Sequence, residues 1–217
     1  MTGADQHYRE QRSRVGDLYS GLTDEQLGAQ VPGCPAWTVR DVLGHLVGVP
    51  ADVTAGLMDD AGSPKWTQSQ VDARTGRPIA DLIEEWDTTG PAFEAAMEGL
   101  GFLGWIFVMD ISLHLDDVRE ALGLPLGTSP TDDLVLERLV EQADKRAPGT
   151  GSLTLSSAGR SWTIGAGEPG VSLTVDAPAE LSRVLAARRA DDAVRALDWS
   201  GDPEPWIPVL PLFREGR

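Results

Sequence analysis

The chain of 217 residues has a single cysteine, Cys34, so it can form neither an intrachain disulfide nor a cluster of thiolates around a metal. It has three histidines, His7, His45 and His114, and any site built on imidazole must draw on that short set. Basic side chains are scarce too: 18 Lys and Arg stand against 34 Asp and Glu, a formal net charge of −16. A surface of that sign repels phosphate, which argues against nucleic acid and against an anionic membrane as partner. No apolar run approaches the roughly 18 residues of a membrane span, and residues 1–18 are too polar for a secretory leader. Those features describe a cytoplasmic protein of a reducing compartment.

What is present is the composition of a globular chain. Hydrophobic residues make up 41% and charged residues 24%, enough apolar surface for one large domain or two small ones. The acidity is uneven: residues 1–130 carry 20 acidic and 8 basic side chains, residues 131–217 carry 14 and 10. That step suggests two units with different surfaces.

Periodicity predicts a first amphipathic helix over residues 4–21, with Tyr8, Val15, Leu18 and Tyr19 inward and His7 in solvent at its start. Thr23 caps a short turn through Leu27. A second helix is expected over residues 38–58: Thr38 is a good N-cap, and Asp41 suits the first turn, where unpaired N–H groups meet a carboxylate. Pro50 lies inside that pattern and predicts a kink or break. Residues 59–77 have loop chemistry and could form a lid or pocket wall, with Trp66 at a pocket mouth. Helices follow over residues 78–97, with a kink expected at Gly90-Pro91, and over residues 102–122, closed by Gly123 and Pro125. Four long helices joined by loops predict an up-and-down bundle over residues 1–128.

The signals change after Pro130. One more helix is expected over residues 131–146, with Leu134, Val135, Leu139 and Val140 as its apolar face. Residues 153–155 and 162–164 alternate with period two around Ala158-Gly159, a hairpin, and residues 171–175 make a third strand. Two short helices begin at Pro178 and Asp191, and the end around Trp199 and Trp206 is turn-rich. The fold class is therefore α+β: a helical bundle followed by a small α+β domain over residues 129–217.

One constellation could carry chemistry. In the fourth helix Leu103, Phe107, Asp110, His114 and Val118 recur at spacings of three or four, so Asp110 and His114 share the apolar face one turn apart. An ordinary ion pair would explain that spacing, but an inward-facing carboxylate is costly unless paired or bound to a cation. His45, on the edge of the second helix's apolar stripe, could complete a set of two imidazoles and one carboxylate. Such a set leaves positions open for water or substrate, the pattern of a catalytic metal. Zinc is the first choice, and nickel or iron would accept the same ligands. Asp41 could support His45 or serve only the helix start; Asp117 could support His114 or lie exposed. Cys34, before a proline, reads as a packed thiol, and Trp37 as a core anchor.

The segment Pro32-Gly-Cys-Pro-Ala-Trp-Thr-Val-Arg-Asp-Val-Leu-Gly-His-Leu46 closely resembles the amino-terminal signature of the mycothiol-dependent maleylpyruvate isomerase family, within the DinB-like metal-binding four-helix bundles. A carboxylate four residues before a histidine, with an aspartate three residues after it, is similar too: Asp110, His114 and Asp117. The layout after the bundle resembles that family's sterol-carrier-like α+β domain. The resemblance implies metal ligation by His45, Asp110 and His114, mycothiol as thiol cosubstrate, and an electrophilic small molecule as substrate. Isomerisation and thiol transfer are both expected outcomes. The family's carboxylate is usually glutamate, one methylene longer than Asp110. The isomerase also uses an arginine of its second domain; Arg160, Arg183, Arg188, Arg189 and Arg195 are available here, and none matches a motif. Two other readings stay open: a hydrolase in which the metal activates water, and a non-catalytic small-ligand-binding protein with a degenerate metal site. Either a monomer or a homodimer is compatible with the sequence.

Overall fold

The computed structural model describes residues 3–97, 99–127, 129–149 and 151–212. Helix α1 (Ala4–Ser20) leads through a short α2 (Asp24–Leu27) to α3 (Val39–Ala55). Helices α4 (Pro64–Asp72), α5 (Ile79–Met97) and α6 (Phe102–Ala121) complete the first compact unit, Met1–Leu126. The expected boundary at Thr128 falls on a residue outside those described, and the second compact unit is Gly127–Arg217.

The first unit is a bundle in which α1 packs on α5 and α6, and α3 packs on α5, α4 and α6. Its core is aliphatic and aromatic: Tyr8, Val15, Leu43, Leu82, Trp86, Phe93 and Met109 are all buried. Each large apolar side chain so placed contributes roughly 1.5–3 kcal/mol relative to exposure. Several polar atoms inside this layer are paired. Trp86 Nε1 donates to Tyr8 Oη at 3.2 Å, Tyr19 Oη donates to the Val39 carbonyl at 2.7 Å, and Gln11 Nε2 donates to Ser112 Oγ at 2.9 Å. The buried Glu94 of α5 accepts from Arg9 and Arg12 of α1 at 2.7 and 3.0 Å.

Helix α3 runs without a break through Pro50, and α5 is likewise continuous through Pro91. A proline removes one backbone bond, but helices held by packing along an apolar face tolerate that loss. Residues 59–77 are not a plain loop: α4 lies within them, begun by Ser63, whose Oγ accepts from Trp66 N at 3.2 Å, and by Pro64 at the first helical position.

The second unit opens with α7 (Pro130–Arg146) and continues with β1 (Gly151–Ser157), β2 (Arg160–Ala166) and β3 (Pro169–Thr174). Helices α8 (Pro178–Leu185) and α9 (Asp191–Arg195) precede the short strand β4 (Asp198–Ser200). The sheet order is β2-β1-β3-β4. β1 and β2 form the antiparallel hairpin, with Leu153 opposite Ile164 and Leu155 opposite Trp162. β3 joins β1 in parallel and β4 antiparallel, so the sheet is mixed. The segment around Trp199, read from sequence as turns, is an edge strand.

The face of α7 is also corrected. Leu134 is exposed, and Val135, Leu136, Leu139, Val140 and Ala143 are buried where α7 packs against α8 and β2. No described helix is long and apolar enough to cross a membrane.

A candidate metal centre between two helices

Helix α3 carries one donor and α6 carries two. The capping box that starts α3 is complete: Thr38 Oγ1 accepts from Asp41 N at 3.3 Å, and Asp41 Oδ2 accepts from Thr38 N at 2.9 Å. Four residues on, His45 is buried, and on α6 Asp110 and His114 sit one turn apart with His114 buried. The structure brings one ligand atom from each of His45, Asp110 and His114 within 4.8 Å of the others.

The separations are informative. His45 Nε2 lies 3.5 Å from Asp110 Oδ2, and His114 Nε2 lies 3.6 Å from Asp110 Oδ1. Both exceed a normal N–H···O hydrogen bond. Donors bound tetrahedrally to one ion at about 2.0–2.2 Å stand about 3.3–3.6 Å apart. These separations fall in that range, so the three residues could hold a divalent cation. The Asp110 side chain is 30% exposed, so solvent and small molecules reach this carboxylate.

A second group shares His114. Cys34 Sγ, His114 and Asp117 also lie within 4.8 Å of one another. Asp117 Oδ2 is 3.1 Å from His114 Nδ1, and Cys34 Sγ donates to Asp117 Oδ2 at 3.6 Å. In this second group His114 and Asp117 are already at hydrogen-bond distance. Asp117 is fully buried on α6.

The lead-in to α3 is a pinned loop. Val31 N donates to the Trp37 carbonyl at 3.0 Å, Cys34 N to the Val31 carbonyl at 3.0 Å, and Gln30 Nε2 to the Trp37 carbonyl at 2.6 Å. This loop delivers Cys34 and Trp37 to the histidines. The Trp37 ring centroid is 5.1 Å from that of His45 and 6.0 Å from that of His114. Trp37 is thus a half-buried wall of the site, not the core anchor expected, and its Nε1 donates to Gln68 Oε1 at 3.0 Å. Trp66 donates from Nε1 to the Leu57 carbonyl at 2.9 Å.

Other expectations resolve as follows. Asp41 serves the helix start, and the side chain on His45 Nδ1 is Gln70 at 2.7 Å. Cys34 is partly buried but faces His114 Nδ1 at 3.8 Å, so its thiol belongs to the surroundings of the site. His7 rests beside Trp105, with ring centroids 5.4 Å apart. Among the second-unit arginines, Arg160 pairs with Asp133 and Glu137, Arg189 with Glu180, and Arg195 with Glu204. Sequence reasoning missed Gln70 entirely. The available signal was Ser63-Pro64, a helix start that would have placed it on an element.

Fold and donor set together define a helical-bundle protein with a candidate metal centre and a small mixed-sheet unit behind it in sequence. Residues 8–106 match the family model described as the mycothiol maleylpyruvate isomerase N-terminal domain. Over those residues the chain is similar to the amino-terminal domain of that family. The match includes His45 and ends before Asp110 and His114. Two crystal structures share the fold. A histidine-to-alanine mutant of the mycothiol-dependent maleylpyruvate isomerase aligns at TM-score 0.59 and 15% identity, covering 88% of this chain and 94% of that one. The isomerase without that description aligns at TM-score 0.54 and 14% identity over the same shares. No curated protein matches this chain.

Proposed function

We propose that the protein is a metal-dependent enzyme that activates a low-molecular-weight thiol, mycothiol in this family, for reaction with an electrophilic small molecule. The observation that carries the reading is the convergence of His45, Asp110 and His114 at separations suited to one cation. The names of the family and of the two solved isomerases support thiol chemistry at such a centre. Zinc suits two imidazoles and a carboxylate, and nickel or iron would take the same set. A divalent ion bound there would hold a thiol as its thiolate, the nucleophilic form, at neutral pH.

The chain's own residues then have definite tasks. His45, Asp110 and His114 would hold the ion, and the solvent-reached side of Asp110 would admit the small molecules. Asp117 orients His114 through Nδ1, keeping Nε2 directed at Asp110. The Trp37 ring shields one side of both imidazoles and offers an apolar surface beside the reacting sulfur. Addition of the thiol to an activated double bond, followed by its release, gives an isomer and returns the thiol. Retention of the new C–S bond gives a transfer product.

Metal analysis of protein purified without a histidine tag tests the centre. Close to one zinc, nickel or iron per chain is expected; less than about one-tenth, with no uptake on adding zinc or nickel, overturns it. Incubation of the loaded protein with mycothiol and maleylpyruvate, or with a generic electrophile, should yield an isomer or adduct. Product formation that survives His114→Ala unchanged removes this site from the reaction.

A further inference from the structure

Helix α4 does more than cross the bundle. It buries the Gln70 side chain against α3, where Gln70 Oε1 lies 2.7 Å from His45 Nδ1 and Gln70 Nε2 donates to Asp52 Oδ2 at 2.8 Å. The chemistry of the three groups leaves one consistent assignment. A carboxylate only accepts, so the amide nitrogen faces Asp52 and the amide oxygen faces the imidazole. An amide oxygen also only accepts, so His45 Nδ1 carries the proton. A neutral ring then bears its lone pair on Nε2, the atom directed at Asp110.

We infer that Gln70, locked by Asp52, is a positioning residue that holds His45 in the Nδ1–H tautomer and so keeps Nε2 available as a metal ligand. The inference rests on the reading of His45 as a ligand. Nothing in it requires Gln70 to touch metal or substrate.

The fold is built to deliver this side chain. A Cβ on Gly48 would lie 2.4 Å from Gln70 Cβ and 2.6 Å from its Cγ, so only glycine there lets α4 lay Gln70 against α3. Arg74 fixes the backbone at the same point: its Nη1 donates to the Gln70 carbonyl at 3.1 Å, while its Nη2 pairs with Glu85 of α5. Gln70 is therefore held at its carbonyl by Arg74 and at its amide by Asp52.

The test uses the full chain without a tag, in wild-type, Gln70→Leu and Asp52→Ala forms. Nitrogen-15 spectra of the metal-free protein read the tautomer of His45 directly. Wild type should show a protonated Nδ1 and a bare Nε2, and Gln70→Leu should show a mixture of tautomers. Zinc affinity, measured by competition with a chelator, should fall about 10–100-fold in Gln70→Leu, the range for loss of a group that orients a ligand. Asp52→Ala leaves Gln70 in place but frees its amide to turn over, so it should move both readouts the same way by less. It also keeps the test decisive should Gln70→Leu fail to fold. Wild-type tautomer and wild-type affinity in either folded variant overturn the inference. Failure of wild type to take up zinc, with the Nδ1–H tautomer present and lost in Gln70→Leu, overturns the ligand reading and supports the positioning contact. The bare Nδ1 form in wild type overturns the inference whatever the metal result.

Discussion

Asp110 is the residue on which the candidate centre turns, because its carboxylate faces both histidines. Its two oxygens face different imidazoles, Oδ2 toward His45 and Oδ1 toward His114. A carboxylate so placed lets the short side chain span a gap that a glutamate could reach from farther along a helix. Two substitutions separate length from charge. Asp110→Glu should retain metal, whereas Asp110→Ala and His114→Ala should lose uptake in the tag-free protein, as read by metal content. Wild-type content in Asp110→Ala would show that the carboxylate is not a ligand. At this scale the sequence was informative about Asp110 and His114, since a spacing of four puts both on one face of one helix. It was misleading about Trp37. Trp37 and Trp66 have similar neighbours in the chain, and only folding sets the first against the imidazoles and the second against the Leu57 carbonyl.

Helices α3 and α4 illustrate how an element places chemistry. Gly44 and Gly48 recur at a spacing of four on α3, and the backbone and side chains of Val71, Arg74 and Gln70 come against them. Gly48→Ala would gain helix propensity of up to about 1 kcal/mol but must push Gln70 away. Net destabilisation of about 1–3 kcal/mol is expected in chemical denaturation, together with weaker zinc binding. A gain in stability with unchanged zinc affinity would show that α4 yields freely.

The start of α1 and of α3 makes a second, pH-dependent prediction. Burial raises the pKa of both Tyr8 and Tyr19 above the ordinary 10.0, with nearby carboxylates adding to the rise. An unfolded tyrosine ionises near pH 10, while the folded one stays neutral. Their stabilising effect is therefore whole below about pH 10 and is lost as pH rises toward the folded values. The bundle should lose stability progressively above about pH 10, and Tyr19→Phe should flatten that slope when unfolding is followed by far-ultraviolet circular dichroism. The same slope in wild type and variant would assign the alkaline loss to other groups.

For the whole molecule, all three candidate ligands, Gln70, Asp52, Asp117 and Trp37 lie within Met1–Leu126, a compact unit with its own buried core. That unit expressed alone, as residues 1–126, should keep its helix content and its metal uptake. Loss of both would show that the second unit is needed to complete the bundle. Loss of metal with helix content intact would place a missing part of the centre beyond Leu126. The second unit carries its own ionic layer on α7 and β2, where Arg160 pairs with Asp133 and Glu137 and Trp162 Nε1 donates to Glu137 at 2.9 Å.

Local chemistry was decided by the sequence itself. Thr38 and Asp41 form a capping box that starts α3 from residues three apart; Gly and Pro after Ala121 end α6; alternation makes residues 151–166 a hairpin. These features depend on neighbours a few residues apart. The tertiary structure alone decided which face of α7 is buried, that Pro50 and Pro91 do not interrupt their helices, and that a buried glutamine from a segment of loop-like composition meets His45. Those outcomes depend on packing between residues 25 to 80 positions apart, whose contacts leave no periodic trace in the chain.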